Sequence, residues 1–286
     1  MNDKKMGWVR ALLIIIPFLV VSTIFQFIGI IVSGVSLSDL LNNVNNRSEY
    51  QETVIQIFSL IATIVITWLF VKYLDKEKYI DIGLSLNKKI LHIVSGLILG
   101  TVIMILAYYT LIGLNEIELT FINVNTKKII YSVILFTAVA FSEEILVRGY
   151  VLKNFMYSVN KYLALLLSSI LFSLMHAANP NINLISFINI FLAGLLLGIV
   201  YIHTKNLWFA IALHLSWNLC QSLIGFNVSG QDFYSIINFK IIKSNTFNGG
   251  NFGFEGSYFA SIIMIILIVA IDVFYRSKQR KCNVNP

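Results

Sequence analysis

Long apolar segments alternate with short polar segments along almost the whole chain. Runs of about 20 apolar residues recur, and a helix of that length crosses the roughly 30 Å hydrocarbon core of a bilayer. The pattern predicts about eight helices, with boundaries good to a few residues. The predicted ranges are 9–34, 53–74, 90–114, 128–150, 162–178, 184–203, 206–226 and 257–275. Since these segments take up most of the sequence, we expect an all-α integral membrane protein with a single polytopic domain over residues 1–286.

The composition supports a membrane environment. Hydrophobic residues make up 57% of the chain and charged residues only 12%, whereas soluble domains carry about 25% charge. The net charge of +7 comes from short basic clusters beside the apolar segments, with no basic polar face that could follow a phosphate backbone. We therefore expect the lipid bilayer as a partner and no nucleic acid.

The distribution of lysine and arginine predicts the orientation. Cytoplasmic loops of membrane proteins carry an excess of these residues. With the N-terminus inside and eight spans, the outer segments hold only Arg47, Lys127, Lys128, Lys240 and Lys243, and the inner segments hold all the others. Both termini are therefore predicted to be cytoplasmic. The Ile-, Asn- and Lys-rich composition favours a bacterial cytoplasmic membrane, and the outer segments 36–52 and 227–256 are expected to be flexible and solvated.

The fourth predicted helix contains charged residues that need an explanation, because each costs at least about 2.5–3.5 kcal/mol in a membrane. Glu144 and Arg148 are spaced i,i+4, which predicts an ion pair on one helix face. Glu143 points about 100° away from Glu144, and we expect it to face a cavity as a general base. The alternative is a buried charge network of all three residues that only stabilises helix packing.

Two further predicted helices each offer polar groups. His176 lies in the fifth helix, and His214 and Asn218 share a face of the seventh because they are spaced i,i+4. Each alone could be an interhelical hydrogen-bonding residue. Together with Glu143 they are the groups needed to activate a water and to stabilise an oxyanion. Helix rise places His176 about 20 Å from the inner face, which leaves open whether these groups meet.

These motifs resemble those of the CPBP family, which comprises CAAX-processing and bacteriocin-processing proteases and is also named the abortive-infection (Abi) family. That family has a paired glutamate with an arginine four residues after the second, then Phe-x-x-x-His, then His-x-x-x-Asn or Asp. Phe172 supplies the aromatic position here, and the stretch 194–208 is similar to the family's sixth helix and following turn. The resemblance covers about 128–226, which is the expected catalytic core.

The resemblance implies an intramembrane endopeptidase that acts on a membrane-associated protein or peptide. Its catalytic residues would correspond to Glu143, Glu144, His176, His214 and Asn218, with Arg148 in support. The cofactor stays open. Two histidines and a glutamate match a zinc site with one free position, in which His176 and His214 would be ligands, while a metal-free glutamate mechanism fits the same residues.

Other functions and several substrates remain open from the sequence. A non-catalytic immunity or scaffold protein could use the same fold to bind a peptide, and a transporter could use Glu143 as a proton relay. A prenylated C-terminus, a bacteriocin leader and a membrane-anchored precursor would all be substrates that reach a site between helices.

Overall fold

The fold is mostly helical. The computed structural model describes residues 6–36 and 47–284, with side chains up to residue 280. The α-helices of these residues are α1 Gly7–Leu13, α2 Ile15–Val32, α3 Glu49–Phe70, α4 Ile90–Gly113, α5 Thr126–Glu144, α6 Lys153–Ser158, α7 Lys161–Met175, α8 Leu184–Thr204, α9 Trp208–Leu223 and α10 Tyr258–Val284. A π-helical segment, Ile145–Leu152, joins α5 to α6 without a break, and Val71–Asp75 extends α3 in the same way.

The helix lengths show a multi-pass membrane protein. Six segments of the described chain are long and apolar enough to cross a bilayer: Gly7–Val32, Glu49–Asp75, Ile90–Gly113, Thr126–Ser158, Leu184–Thr204 and Tyr258–Arg280. The prediction of several membrane-spanning helices is therefore confirmed. The helices observed for the predicted spans 162–178 and 206–226 have only 15 and 16 residues. Eight spans and cytoplasmic termini stay predictions, and the predicted inner residues Lys4 and Lys5 lie outside the described residues.

The first predicted helix, 9–34, is interrupted near its start. Helices α1 and α2 meet at Ile14, three residues before Pro17. Proline has no N–H to donate to the carbonyl four residues earlier, here that of Leu13, and its ring also clashes with that carbonyl. The interruption is therefore a local consequence of one proline in an otherwise continuous apolar segment.

The fourth predicted helix is longer than expected, and the predicted end at residue 150 is wrong. Helical structure continues through the buried π-helical segment to Ser158. After a short turn, Asn160 begins α7 by accepting hydrogen bonds from the N–H groups of Tyr162 and Leu163 at 3.1 and 3.0 Å. Since α7 packs against the π-helical segment, it brings His176 Nε2 within 3.7 Å of Glu143 Oε2. The extra helical turns thus explain how His176, predicted to lie about 20 Å from the inner face, comes close to Glu143.

Glycines allow the central helices to approach closely. On α4, a Cβ at Gly96 would lie 2.7 Å from the carbonyl oxygen of Phe209 on α9. On α8, a Cβ at Gly194 would lie 2.9 Å from the Ser169 Cβ of α7. Small residues at such positions let helix backbones pack in membranes. The pairs α4–α9 and α7–α8 are accordingly among the most extensive helix contacts.

The turn between α8 and α9 is fixed to the segment before α4. The Asn206 Nδ2 donates to the carbonyl oxygens of Gly83 and Ser85 at 3.1 and 2.9 Å. Trp208 Nε1 donates to the Leu84 carbonyl oxygen at 3.1 Å. These bonds fix the start of α9, the helix that carries His214 and Asn218.

The predicted all-α class is confirmed, and the connections add one small two-stranded antiparallel sheet. Strand β1, Ile117–Ile122, pairs with β2, Ile237–Ile241. The expected flexible segment 227–256 also contains buried aromatic residues, Phe252 and Phe254. Asn248 uses its side chain to bond Glu116 and several backbone groups of this segment. The prediction of a flexible solvated loop was wrong there because aromatic burial and asparagine side chains stabilise it. Residues 37–46 of the other predicted loop lie outside the described residues.

Candidate active site

A cavity of about 290 Å³ lies among α3, α5, α7, α8 and α9 and is covered by the 227–256 segment. Its walls are largely apolar, as in most ligand cavities. The polar residues that line it are Glu52, Gln56, Glu143, His176, Asn179, Asn189, His214, Asn218, Ser229, Gln231 and Glu255. The structure therefore brings Glu143, His176, His214 and Asn218 to one cavity, while Glu144 and Arg148 lie behind it.

Glu144 and Arg148 form the ion pair predicted from their spacing. The distance from Arg148 Nη1 to Glu144 Oε1 is 2.8 Å, and both side chains are buried. Arg148 also donates from Nη2 to the Gly194 carbonyl oxygen at 3.1 Å. Its guanidinium lies 4.4 Å from the centre of the Phe172 ring, a favourable cation–π contact. A buried charge needs such partners, which explains why Phe172 and Gly194 accompany the arginine.

Hydrogen bonds at Nδ1 orient both histidines. His214 Nδ1 lies 2.9 Å from Glu144 Oε1, and His176 Nδ1 lies 2.8 Å from the Phe172 carbonyl oxygen. An ionised carboxylate and a carbonyl can only accept, so Nδ1 carries the proton in each ring. Each Nε2 is then directed towards Glu143.

Glu143 occupies the centre of the arrangement. Its Oε2 lies 3.7 Å from His176 Nε2 and 3.9 Å from His214 Nε2. Oε2 is buried and has no hydrogen-bond partner within the described chain. Both separations exceed a direct hydrogen bond, and polar groups at such distances are commonly bridged by a water. The two adjacent glutamates therefore have different environments, as their helical spacing predicts.

Asn218 follows His214 by one turn of α9. It is buried and lines the same cavity. Its side-chain amide provides N–H donors beside the glutamate and the two histidines. The cavity thus combines a carboxylate acceptor, two imidazoles and an amide donor.

The cavity contains side chains of the types that bind metal ions. His176, His214 and Glu143 offer two nitrogens and one carboxylate oxygen that face one another. However, no group of three His, Cys, Asp or Glu side chains within the described residues has an arrangement that could hold a metal ion. The predicted role of His176 and His214 as ligands stays a prediction.

The structure adds a carboxylate that sequence reasoning missed. Glu255 comes from the 227–256 segment and lines the cavity. Its Oε2 accepts hydrogen bonds from Ser229 N and Ser229 Oγ at 2.9 and 3.1 Å. Burial raises the pKa of the Glu255 carboxyl, and the bonds from Ser229 oppose part of that rise. No spacing in the sequence connects Glu255 with the helix motifs, because only the tertiary fold places it above them.

Comparison with known proteins identifies the central region. Residues 124–220 match the family model described as type II CAAX prenyl endopeptidase Rce1-like. No curated protein matches the chain. The matched region includes the paired glutamates, Arg148, both cavity histidines and Asn218. Residues 124–220 are thus similar to those of Rce1-like CAAX prenyl endopeptidases, and the predicted resemblance to the CPBP family is confirmed.

Proposed function

We propose that this protein is an intramembrane endopeptidase in which Glu143 activates the water that hydrolyses a peptide bond. The observation that carries the proposal is the position of Glu143 Oε2. It is a buried acceptor with no hydrogen-bond partner in the described chain, and it faces the Nε2 atoms of two histidines across a cavity. An unpartnered buried acceptor costs about 1–3 kcal/mol. Glu144 Oε2 and Asp75 Oδ1 are also buried without a hydrogen-bond partner, but their residues do not line the cavity.

The reaction begins with a water held between Glu143 and the histidines. Glu143 takes a proton from this water, and the oxygen attacks the carbonyl carbon of the peptide bond. The Asn218 amide and a protonated histidine donate hydrogen bonds to the resulting oxyanion. Glu143 then gives its proton to the leaving amine, the carbon–nitrogen bond breaks, and an amine and a carboxylic acid leave. All of these steps use side chains of the chain itself.

Glu144 and Arg148 act as positioning residues in this mechanism. Glu144 accepts from His214 Nδ1 and keeps that ring turned with Nε2 towards the cavity. Arg148 in turn fixes Glu144 and connects α5 to the α8 backbone. Through these contacts, the buried helix core fixes the orientation of the His214 ring.

The substrate class we propose is a membrane-associated protein or peptide. The apolar cavity walls and the surrounding membrane helices suit an apolar or lipid-anchored chain. A prenylated CAAX terminus, named in the description of the matching family, a bacteriocin leader and a membrane-anchored precursor are the substrates to compare. The asymmetry of the basic residues supports a bacterial cytoplasmic membrane with both termini inside.

The test compares the membranes of cells that express the wild-type protein or the Glu143→Gln variant. Mass spectrometry of protein termini should show fragments that only the wild-type protein produces. Identical termini in both samples, with normal amounts of folded protein, would contradict the peptidase proposal. If Glu143→Ala cells also kept the biological phenotype, the non-catalytic immunity or scaffold function would replace it.

The cofactor question needs its own measurement. The proposed metal-free mechanism predicts that the purified protein retains cleavage activity after dialysis against a chelator. Elemental analysis of the same sample should then find less than one zinc ion per active site. Loss of activity with the chelator and its recovery with added zinc would instead assign a metal-dependent mechanism.

A further inference from the structure

The charges that line the cavity are strongly asymmetric. Three glutamates line it, Glu52, Glu143 and Glu255, whereas none of its described lining residues is a lysine or an arginine. Glu52 is paired, since its Oε1 lies 3.3 Å from Arg47 Nη1. Glu143 is assigned to the water. Glu255 is the remaining carboxylate, and neither the ion pairs nor the proposed chemistry uses it.

The two oxygens of Glu255 have different surroundings. Both hydrogen bonds from Ser229 go to Oε2, and within the described chain no hydrogen bond reaches Oε1. The side chain is only half-buried, and its exposed part belongs to the cavity lining. Oε1 is therefore available to a group that enters the cavity.

The backbone of Glu255 is held rigidly over the site. Asn189, a buried residue of α8, donates from Nδ2 to the carbonyl oxygens of Glu255 and Ser257 at 2.7 and 2.8 Å. Asn189 Oδ1 accepts in turn from Ser261 Oγ of α10 at 2.6 Å. Two membrane helices thus hold the Glu255 backbone in place, and Ser229 holds the carboxylate itself. A preorganised group loses little entropy when it binds a ligand.

We propose that Glu255 recognises a cationic group of the peptide substrate, so that the enzyme prefers peptides with a positive charge near the scissile bond. The cation is a lysine or arginine side chain, or the free amine of an N-terminus close to the cleaved bond. An anionic group would be repelled by Glu255 and would find no lysine or arginine among the described lining residues, whereas a cation would form a charge-assisted hydrogen bond with Oε1. This inference rests on the proposed peptidase function and specifies its substrates.

The first test reads the cleavage sites directly. Termini that appear with the wild-type protein and not with Glu143→Gln define the cut positions in the membrane proteome. We expect lysine, arginine or a free N-terminus within a few residues of these cuts, well above their frequency in the same proteins. Cuts without any such enrichment would overturn the inference and leave the peptidase function intact. If the two samples had the same termini, the peptidase function and this inference would both fail.

The second test uses a quenched fluorogenic peptide that spans the strongest cut, in lipid vesicles. Its basic residue is kept, replaced by norleucine or replaced by glutamate, and each peptide is made with a free and an acetylated N-terminus. We expect Glu255→Gln to raise KM for the cationic peptides about 10-fold or more, with kcat and the neutral peptides unchanged. The glutamine keeps an acceptor for Ser229. If acetylation of the peptide raises KM, the cation that Glu255 recognises is the N-terminal amine. If replacement of the basic residue by norleucine raises KM, the cation is that side chain.

The matched control is Glu118→Gln. Glu118 lies on β1, is exposed and pairs with Lys240, and it does not line the cavity. It changes the net charge in the same way as Glu255→Gln, so it should leave the discrimination between peptides unchanged. A reversed preference in Glu255→Lys, for the glutamate peptide over the basic one, would support direct contact. Equal KM values for cationic and neutral peptides in the wild-type enzyme would contradict it.

Discussion

Among the described residues, two arginines pair with a buried carboxylate, and one of these two pairs belongs to the proposed active site. Arg10 Nη1 lies 3.1 Å from Asp75 Oδ1, and Asn154 Nδ2 donates to Asp75 Oδ2 at 3.2 Å. This pair connects α1, the end of the α3 segment and α6. Neither Arg10 nor Asp75 lines a described cavity of the active-site region.

The pair of Glu144 and Arg148 differs in what surrounds it. Its carboxylate also accepts from His214, whose other nitrogen faces Glu143 across the cavity. Burial and pairing are therefore common to both regions and do not identify function. The distinguishing feature is an adjacent carboxylate oxygen that the fold leaves unpaired at a cavity. The predictions below test this difference, beginning with the largest effect.

Glu143→Gln should abolish most of the activity without loss of stability. Glutamine has nearly the same shape but cannot accept the proton of water, and general base catalysis contributes about 10²–10⁴-fold. The kcat value measures the activity, and the melting temperature in detergent measures the stability. An active Glu143→Gln protein would assign the base to another residue.

Arg148→Met should destabilise the protein by about 3–5 kcal/mol, because it leaves the Glu144 carboxylate buried without its partner. The melting temperature and the yield of folded protein measure this loss. The double variant Glu144→Gln with Arg148→Met removes both charges and should recover much of the stability. It should remain poorly active, since His214 loses its carboxylate acceptor. Equal stability of the single and double variants would argue against a buried ion pair.

Arg10→Met with Asp75→Asn should change stability by only about 1–3 kcal/mol, because both charges are removed together and amide acceptors remain for Asn154. The kcat value should stay at the wild-type level in the folded fraction. A large loss of kcat at unchanged stability would show that this second pair acts on the site, and the functional contrast between the regions would disappear.

The smallest expected effect is a change with pH in the preference for cationic peptides. Burial raises the pKa of Glu255, so this carboxyl becomes ionised at a higher pH than an exposed glutamate. The ratio of kcat/KM for a cationic peptide to that for its norleucine analogue should therefore rise with pH through this pKa. His176 and His214 act electrostatically on Glu255, so they also contribute to this ratio. Glu255→Gln isolates the histidine contribution, and a ratio as steep as in the wild-type enzyme would exclude Glu255 as the cause.

The features that could be predicted from the sequence depend on residues that lie close together in the chain. The spacing of Glu144 and Arg148 determines their ion pair because it reflects helix geometry. The long apolar segments likewise predict membrane helices because length and composition suffice. The separate motifs on α5, α7 and α9 predicted a shared site through their chemistry, and the structure brings those side chains to one cavity.

Long-range partners explain what could not be predicted. The helix that carries Glu143 was predicted to end at residue 150, before the polar residues Lys153 and Asn154. Lys153 pairs with Glu77, and Asn154 bonds Asp75, so these polar residues are satisfied inside the protein and the helix continues. Glu255 is missed for the same reason, since only the folded 227–256 segment brings it to the cavity.

The short helix α7 has a consequence for hydration. Its 15 residues span about 22 Å, which is roughly 8 Å less than the hydrocarbon core of a bilayer. His176 stands at the end of this helix, followed by a polar turn with Asn179, which also lines the cavity. If α7 crosses the membrane as predicted, the bilayer must thin or water must enter where the helix is too short. The proposed reaction, which consumes one water in every turnover, would then take place beside a thinned or hydrated part of the bilayer.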